Sequence, residues 1–571
     1  MAEPLITGLL SPLYHYKTKK RKIVAFDTED DSSGNVSIIN FFDGKVHTTI
    51  DLDTNEDPEA AIKVFYNWPE PALFVAHNLE YDVVNIFRDT NYVYVDEMVY
   101  TSRLMKCTLK KLDHILWDSF NWWPTSLKKI GEKLGFKKGN YLEARNDKEA
   151  NIKYCQLDCE ILWTFVNNLQ NLSVDTLGIN LSPTIGKMAM ESWRSSFTKR
   201  SYGQFSYKFA LEAYYGGRTE VFWKGKCEGD IKVADFRSMY PTVMKYEQYP
   251  DTSSMKEGTI DDHLYGIGRF KVFQPDVYLP ALPYRASGRL FFPVGEMEGW
   301  WSYAEIRHAQ ETCGLQVIEQ FEGYGTNIGC RPFVKYVDFF YNKRKVARAA
   351  GDKFGEDFYK LFLNNLYGKY GQHNQSLKLT TDPTASDTKD MKLVKLLGPF
   401  KVFRGISEEP AVTSNFMWGI YITAYARIRL HKALKSCYDC GHDVLYCDTD
   451  SVFYRKNNEK IPFELGTELG QMDEQPYVSG NFVTAKGYEL KDAKGNTKYA
   501  CKGVPTDQRM AFLDTGHAKF RKPVRLRESL TREITANVWN EVEKHSRQNY
   551  KKRNYTKDGN TKPHNTSSIP V

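Results

Sequence analysis

With 571 residues and 66.0 kDa, the chain is long enough for roughly three to five domains with cores of their own. Its composition is ordinary for a globular protein apart from an aromatic share of 14 %, and its formal charge of +7 is compatible with a polyanionic partner. No run approaches the ~18 apolar residues of a membrane span, and Glu3 with two prolines breaks any signal-peptide order at the start. Ten cysteines follow no repeating spacing; Cys437 and Cys440 form a lone C-x-x-C, which argues for reduced thiols rather than zinc.

In chain order, the basic cluster Lys17 to Lys22 leads into a strand, "KIVAFDTED", and alternating strand and helix patterns continue to about residue 170. That is the pattern of an α/β layer domain. Asp27 and Glu29 stand two apart at the end of the strand and point the same way. In "FVAHNLEYDVVNIF" Asn78 and Asp82 are one helical turn apart, and in "NIKYCQLDCEIL" Tyr154 and Asp158 repeat the spacing. Each pair alone reads as a polar face or a helix cap. Together they supply the carboxylates and hydroxyl needed to hold two divalent cations for phosphodiester hydrolysis.

A second strand-to-helix unit, "IKVADFRSMYPTVMKY", places Asp235 at a strand end. The block Phe333 to Tyr370 reads as two helices separated near Gly351 and Gly355. On the second, Lys360, Asn364 and Tyr367 share one face; the first carries Lys343, Arg344, Lys345 and Arg348. If the helices are antiparallel, Arg348 and Lys360 converge on one polyanion such as a triphosphate. Residues 372–410 are polar and irregular with strand-like pieces, as in an inserted subdomain. "DVLYCDTDSVFYRK" sets Asp448 and Asp450 between two β-prone runs. From His517 to Lys557 there are 12 Lys/Arg against 4 Asp/Glu, interleaved with Trp539, Tyr550 and Tyr555. Taken alone, the run reads as a solvated helical face, though basic residues mixed with aromatics also suit nucleic acid. The last dozen residues, "NTKPHNTSSIPV", are expected to be disordered. No Walker-type stretch occurs, which disfavours a P-loop NTPase.

"DFRSMYP", "KLFLNNLYGKYG" and "YCDTDS", in this order, resemble motifs A, B and C of family B DNA polymerases. "FDTE", "NLEYD" and "YCQLD" resemble the three motifs of the attached 3′–5′ proofreading exonuclease. "YYGG", from Tyr214 to Gly217, resembles the Tyr-x-Gly-Gly linker, and "KGY" followed by "CKGVP" resembles the Lys-x-Tyr motif. The resemblance covers residues 23 to 505. It implies α/β and α+β domains: an RNase H-like exonuclease at 1–175, then a right-hand polymerase. The palm would span 176–246 and 411–507, the fingers 336–371, and a small thumb with the disordered tail 508–571. Insertions would fall at 247–335 and 372–410. Short length with two insertions resembles the protein-primed branch used by small phages with linear genomes. By that analogy the first insertion contacts a terminal protein and duplex, and the second closes a ring that gives processivity and strand displacement.

Residue by residue, the resemblance implies that Asp235 and Asp450, with the carbonyl of Phe236 and with Asp448 beside them, bind two Mg²⁺ ions, Mn²⁺ being able to substitute. Tyr240 would stack under the incoming sugar beside Ser238 and Met239. Arg348 and Lys360 would grip the triphosphate, with Asn364, Tyr367 and Gly368 around the nascent pair. Tyr214, Gly216, Gly217, Lys486 and Tyr488 would contact template-primer DNA. In the exonuclease, Asp27, Glu29, Asp82 and Asp158 would hold metal, Tyr154 would orient water, and Asn78, Tyr81, Ser119 and Phe120 would hold the frayed strand. Met239 in place of Leu, Arg348 in place of Lys and Asn365 in place of Ser remove no ligand, so both activities are expected intact. The implied partners are DNA, dNTPs and a terminal protein, for a soluble intracellular monomer that replicates a viral or mobile-element genome. The compartment would be the host cytoplasm if the gene is phage-borne; the basic cluster at 17–22 keeps the nucleus open. Two rivals remain: a family B polymerase using a nucleic-acid primer or none, and a catalytically silent DNA-binding scaffold.

Overall fold

Strand β1 (Lys22–Asp30) is buried along nearly its whole length, as befits a central strand covered on both faces. Val36–Phe42 pairs antiparallel to it and His47–Asp51 to that strand in turn, while Ala72–Ala76 and then Ile115–Asp118 extend the other side in parallel. This is the expected RNase H-like order. Among the helices that cover it are α1 (Leu79–Phe87) and α2 (Lys148–Asn171). The first turn of α2 is capped by Asp147, whose carboxylate accepts from the Ala150 amide at 2.8 Å. Asn151, Cys155, Asp158, Cys159, Leu162 and Phe165 form its buried stripe. The computed structural model describes residues 7–569 apart from 15–16, 32–35, 56, 58, 102, 140, 373–376, 382–390, 406–410, 412, 524–538, 546–550 and 557.

The right-hand half begins with β2 (Thr219–Val221), β3 (Gly225–Phe236) and α3 (Met239–Tyr246). A separate four-stranded antiparallel sheet follows among the described residues, between Lys256 and Thr326, with the helix Tyr303–Cys313 against it. Glu305 of that helix ties it to the palm by accepting from Arg427 Nε at 2.9 Å, both side chains being buried. The segment expected to form the fingers is the helix pair α4 (Val334–Ala349) and α5 (Lys353–Asn365). Gly351, at φ +71°, makes the turn between them, whereas Gly355 falls inside the first turn of α5.

Strands Leu377–Thr380, Met391–Leu397 and Phe400–Gly405 then leave the right-hand half altogether. Leu377–Thr380 pairs antiparallel with Val95–Tyr100 at the edge of the N-terminal sheet, which reaches ten strands among the described residues. An edge strand left bare is a pairing hazard, and here a segment far downstream covers it, Thr380 bonding to Asp96 across 284 residues. The palm is completed by α6 (Phe416–Asp439), β4 (Asp443–Asp448), β5 (Ser451–Arg455), β6 (Met472–Thr484), β7 (Gly487–Lys491) and the strand Thr497–Cys501. Its sheet runs β2–β4–β5–β3–β6–β7 with Thr497–Cys501 outermost, seven strands among the described residues. One apolar cluster joins the halves: Trp123 and Phe165 of the N-terminal domain meet Phe354 of the fingers at centroid separations of 5.7 and 6.0 Å. Each such buried ring contributes about 1.5–3 kcal/mol.

Two expectations for the C-terminal part are overturned. Where it is described, the basic run is not a helical face: β8 (His517–Pro523) pairs antiparallel with β9 (Trp539–His545). Ala518 and Phe520 turn toward the protein between charged neighbours, a period of two that the density of charge concealed. Nor is the tail disordered where it is described. Strands β10 (Arg553–Tyr555) and β11 (Thr561–Pro563) pair with each other, and Asn560 and Asn565 bridge to Trp223 and Val294. Arg553 is fully buried and donates to Thr561 Oγ1 at 2.7 Å and the Tyr278 carbonyl at 2.9 Å. Polar composition argued for disorder; the order comes from long-range hydrogen bonds that composition does not report. No helix among the described residues is long and apolar enough to cross a membrane, and all ten cysteines are free.

Candidate active sites

The N-terminal site is built from carboxylates at positions that packing would normally give to apolar side chains. On α1 the buried stripe is Leu79, Asp82, Val83 and Ile86; on α2 Asp158 sits among Cys155, Cys159 and Leu162. Asp27 and Glu29 alternate on β1, and one carboxylate oxygen each from Asp27, Glu29 and Asp158 lies within 4.8 Å of the others. Asp82 stands beside them, its Oδ1 accepting from Thr28 Oγ1 at 2.9 Å. Burial raises the pKa of all four carboxyls above the ordinary range. Repulsion from Asp158 adds to this for Asp27, and repulsion from Asp27 does so for Glu29 and Asp82. The opposing charge is Lys138, ion-paired with Asp158 and 4.3 Å over the Tyr154 ring. Asp158 Oδ1 is buried with no hydrogen-bond partner. Hard oxygen donors with an unsatisfied buried lone pair fit a divalent cation.

Around this cluster the expected strand-holding residues divide. Asn78 precedes α1 in a left-handed conformation (φ 78°), its backbone amide donating to Asp118 Oδ1 at 2.8 Å. Tyr81 donates to Asp30 Oδ1 at 2.5 Å. Phe120 lies under Arg103, 3.8 Å from guanidinium carbon to ring centroid. Ser119 does not face the cleft: it is fully buried, and its hydroxyl is bonded to His77 Nδ1 at 2.8 Å. Lys138 lies in none of the expected motifs, and a lysine in a polar loop gives no sequence signal.

In the palm, Asp235 stands at the end of β3 opposite Ser451, and the Phe236 amide donates to the Asp450 carbonyl at 2.8 Å. These bonds fix the two strand ends that carry the carboxylates. Asp235 is raised in pKa mainly by burial, and Asp450 is pushed up to about 6 by burial, then by Asp235 and Asp448. Both line a cleft of about 730 Å³ with Phe236, Ser238, Met239, Tyr240, Arg344, Arg348, Lys360, Asn364 and Tyr367. Phe358, Phe362 and Leu363 turn into the core, leaving the Lys360 and Asn364 face of α5 toward the cleft. Tyr367 stacks on Tyr240 with centroids 4.0 Å apart and planes at 17°. Arg348 Nε pairs with Glu356 at 2.8 Å. Arg344, one turn earlier, was expected as a cation of this helix but not as one of the triphosphate-gripping pair; its Nη1 lies 3.2 Å from Ser238 Oγ. The i, i+4 spacing of Arg344 and Arg348 was the available signal. A side chain on Gly368 would meet open space.

Asp448 is held differently. It accepts from Thr219 Oγ1 at 3.1 Å and Thr449 Oγ1 at 3.2 Å, and pairs with Lys486 Nζ at 3.0 Å. Behind it, Lys552 donates to the Thr219 carbonyl at 3.0 Å, so the C-terminal segment buttresses β2 from the far side. Gly217 is required by the Thr449 turn: a Cβ there would sit 2.9 Å from Thr449 Cγ2, and the Thr449 amide donates to the Arg218 carbonyl at 2.7 Å. Gly216 faces open space, and Tyr214 packs where a side chain on Gly371 would be. Tyr488 packs on Tyr446, centroids 5.3 Å apart. Asn78, Ser238, Thr449 and Lys486 all have positive φ; backbone strain of this kind gathers at functional sites.

A palm sheet bearing paired carboxylates under a cationic helix pair, joined to an RNase H-like domain with carboxylates of its own, defines the right-hand polymerase class. A family model for "DNA polymerase type B, organellar and viral" matches residues 133–395. The "DNA-directed DNA polymerase" of Enterobacteria phage PRD1 is 27 % identical over 521 residues, 86 % of this chain and 87 % of that one. The "DNA polymerase" of Bacillus phage phi29 is 23 % identical over 372 residues, 60 % of each chain. A structure of phi29 DNA polymerase complexed with primer-template DNA and incoming nucleotide substrates superposes with a TM-score of 0.70 at 15 % identity. It covers 92 % of this chain and 99 % of that one. The chain is thus similar to the type B DNA polymerases of the organellar and viral kind over residues 133–395, and to a phage DNA polymerase over most of its length.

Proposed function

We propose that the chain copies DNA by adding dNTPs to a 3′-hydroxyl, proofreads in its N-terminal site, and starts from a protein hydroxyl. The carrying observation is the 730 Å³ cleft, with Asp235 and Asp450 on one wall and Arg344, Arg348 and Lys360 on the other. Its size suits a nucleoside triphosphate, and its charges separate a carboxylate wall from a phosphate-gripping wall. Bound divalent cations, Mg²⁺ above all, would make the primer hydroxyl more acidic and offset charge on the departing pyrophosphate. Asp235 and Asp450 would hold them, with the Phe236 carbonyl. Lys360, Arg344 and Arg348 orient the triphosphate, Asn364 and Tyr367 border the nascent pair, and Lys486 and Tyr488 steady the primer end. In the N-terminal site Asp27, Glu29, Asp82 and Asp158 form the cation-holding set, Tyr154 orients water, and Lys138 balances the charge.

The Tyr240 ring, fixed by Tyr367, is the floor on which a sugar would stack, leaving no room for a 2′-hydroxyl. Tyr240→Val should lower discrimination against ribonucleotides by about tenfold or more, the worth of one steric contact. Single-nucleotide incorporation of dNTP against rNTP measures this, and an unchanged ratio removes the gate role.

Protein priming and strand displacement are supported by correspondence with the phi29 polymerase fold over nearly its whole length. The exposed strand Met391–Leu397, with Leu393, Val394 and Leu396 in solvent, would border the displaced strand. The test is incubation with labelled dNTP and the protein encoded beside it, followed by denaturing electrophoresis. Covalent label on that protein is the expected result; label confined to nucleic-acid primers overturns protein priming. Extension on a primed circle without helper proteins should give products longer than the circle, and products that stop at duplex overturn strand displacement.

A further inference from the structure

The hairpin of β8 and β9 carries a cluster that neither carboxylate site uses. His517 and His545 are cross-strand partners, as are Lys519 and Glu543. Cross-strand partners, and residues two apart on one strand, share a face, so His517, Glu543 and His545 are presented together by register alone. The two imidazole centroids are 4.8 Å apart, and His545 Nε2 lies 3.9 Å from Glu543 Oε2. One ligand atom from each of the three lies within 4.8 Å of the other two. The first ligand is held at its backbone: Thr515 Oγ1 accepts from the His517 amide at 3.2 Å and donates to its carbonyl at 3.1 Å.

We propose that His517, Glu543 and His545 form a binding site for a borderline transition-metal cation of the Zn²⁺ class, at the root of the hairpin. Two imidazole nitrogens and one carboxylate oxygen make a three-ligand set with the fourth position open to water. Imidazole selects Zn²⁺, Ni²⁺ or Cu²⁺ over Mg²⁺, which separates this site chemically from the oxygen-only sets at Asp27 and Asp235. Tetrahedral donors about 2.0–2.1 Å from Zn²⁺ stand roughly 3.3–3.4 Å apart. The present spread therefore closes by rotation of three side chains, two of which, Glu543 and His545, are exposed, with the strand pairing unchanged. The competitor is Lys519, whose Nζ lies 3.6 Å from Glu543 Oε1 and 3.3 Å from Glu541 Oε2; the metal must displace one of its two carboxylates. His517 opens its strand directly after the helix Arg509–Thr515, and His545 closes the other. A cation there would clamp the two strands where they leave the palm.

The experiment uses the full chain freed of metal by chelation and held in excess MgCl₂, so that oxygen-only sites are filled. ZnCl₂ is titrated by calorimetry, and CoCl₂ by visible absorption. Expected are one strong equivalent of Zn²⁺ and, for Co²⁺, the ligand-field bands of a low-coordinate nitrogen and oxygen site. His517→Ala, His545→Ala and Glu543→Gln should each weaken that equivalent by more than the ~10–100-fold that losing a supporting hydrogen bond costs a metal site. Lys519→Gln should tighten it. Because Glu543, His545 and Lys519 are exposed and His517 is half-buried, far-ultraviolet circular dichroism and the metal-free melting temperature should match the parent chain. Absence of a strong equivalent, or one that survives His545→Ala, overturns the proposal. Affinity unchanged in both Glu543→Gln and Lys519→Gln overturns the three-ligand assignment.

Discussion

Asp450→Ala should lower DNA synthesis by about a thousandfold or more, several kcal/mol of transition-state stabilisation, and leave degradation of single strands in place. The two acids of the D-T-D turn are not equivalent. Asp448 already has Thr219, Thr449 and Lys486 as partners, whereas the Asp450 side chain faces Asp235 and the cleft. Asp448→Asn should therefore cost less than Asp450→Asn in the same primer-extension assay; equal losses would refute the asymmetry. Stability separates the chemistry from misfolding. Burial and the Asp235 charge raise the folded-state pKa of Asp450 from 3.8 to about 6. The cost of ionising it in the fold thus grows as pH rises from about 3.8 to about 6 and is fully present above that. Without added cations, the alanine variant at neutral pH should melt no lower than the parent chain. Loss of synthesis together with a lowered melting temperature would count against the assignment.

The double variant Asp27→Ala with Glu29→Ala should do the reverse. Exonuclease activity on a labelled single strand should fall by a similar factor, while extension of a matched primer continues. Four buried carboxyls balanced by one lysine repel one another, so removing two relieves repulsion, and the fold should hold. Extension from a mismatched primer end should then proceed without prior trimming. Exonuclease that survives the double change would remove this site from the nuclease reading, and synthesis lost with it would show that the two sites are not independent.

Much of both sites was legible because carboxylates interrupt apolar patterns. Asp82 and Asp158 occupy core positions of helical stripes, and a charge placed there must have a reason. Asp235, Asp448 and Asp450 stand where strands end, and the helix pair between them carries its cations at helical spacing. Other features could not be read. Lys138 comes from a loop whose approach to Asp158 is purely tertiary. Ser119 shares its segment with Phe120 but is turned inward to His77, a rotation that sequence does not encode locally. The strand at Leu377–Thr380 reads as a piece of an insertion, yet its partner is Val95–Tyr100. Non-local pairing of this kind leaves no periodic trace on either segment. The same holds for Arg553, one more basic residue in a basic run, which proves to be wholly buried.

The docking of residues 551–556 and 558–569 behind β2 has a consequence for biosynthesis. Ribosomes extend a chain at about 5–20 residues per second, so Asp235 is translated on the order of tens of seconds before Arg553. Through that interval the far support of Thr219, and through it of Asp448, does not exist. Most of the N-terminal sheet has by then been translated, with only the edge at Val95–Tyr100 waiting for residue 380. A nascent chain of this protein therefore completes the scaffold of its N-terminal carboxylate cluster before that of the Asp235 and Asp450 cleft.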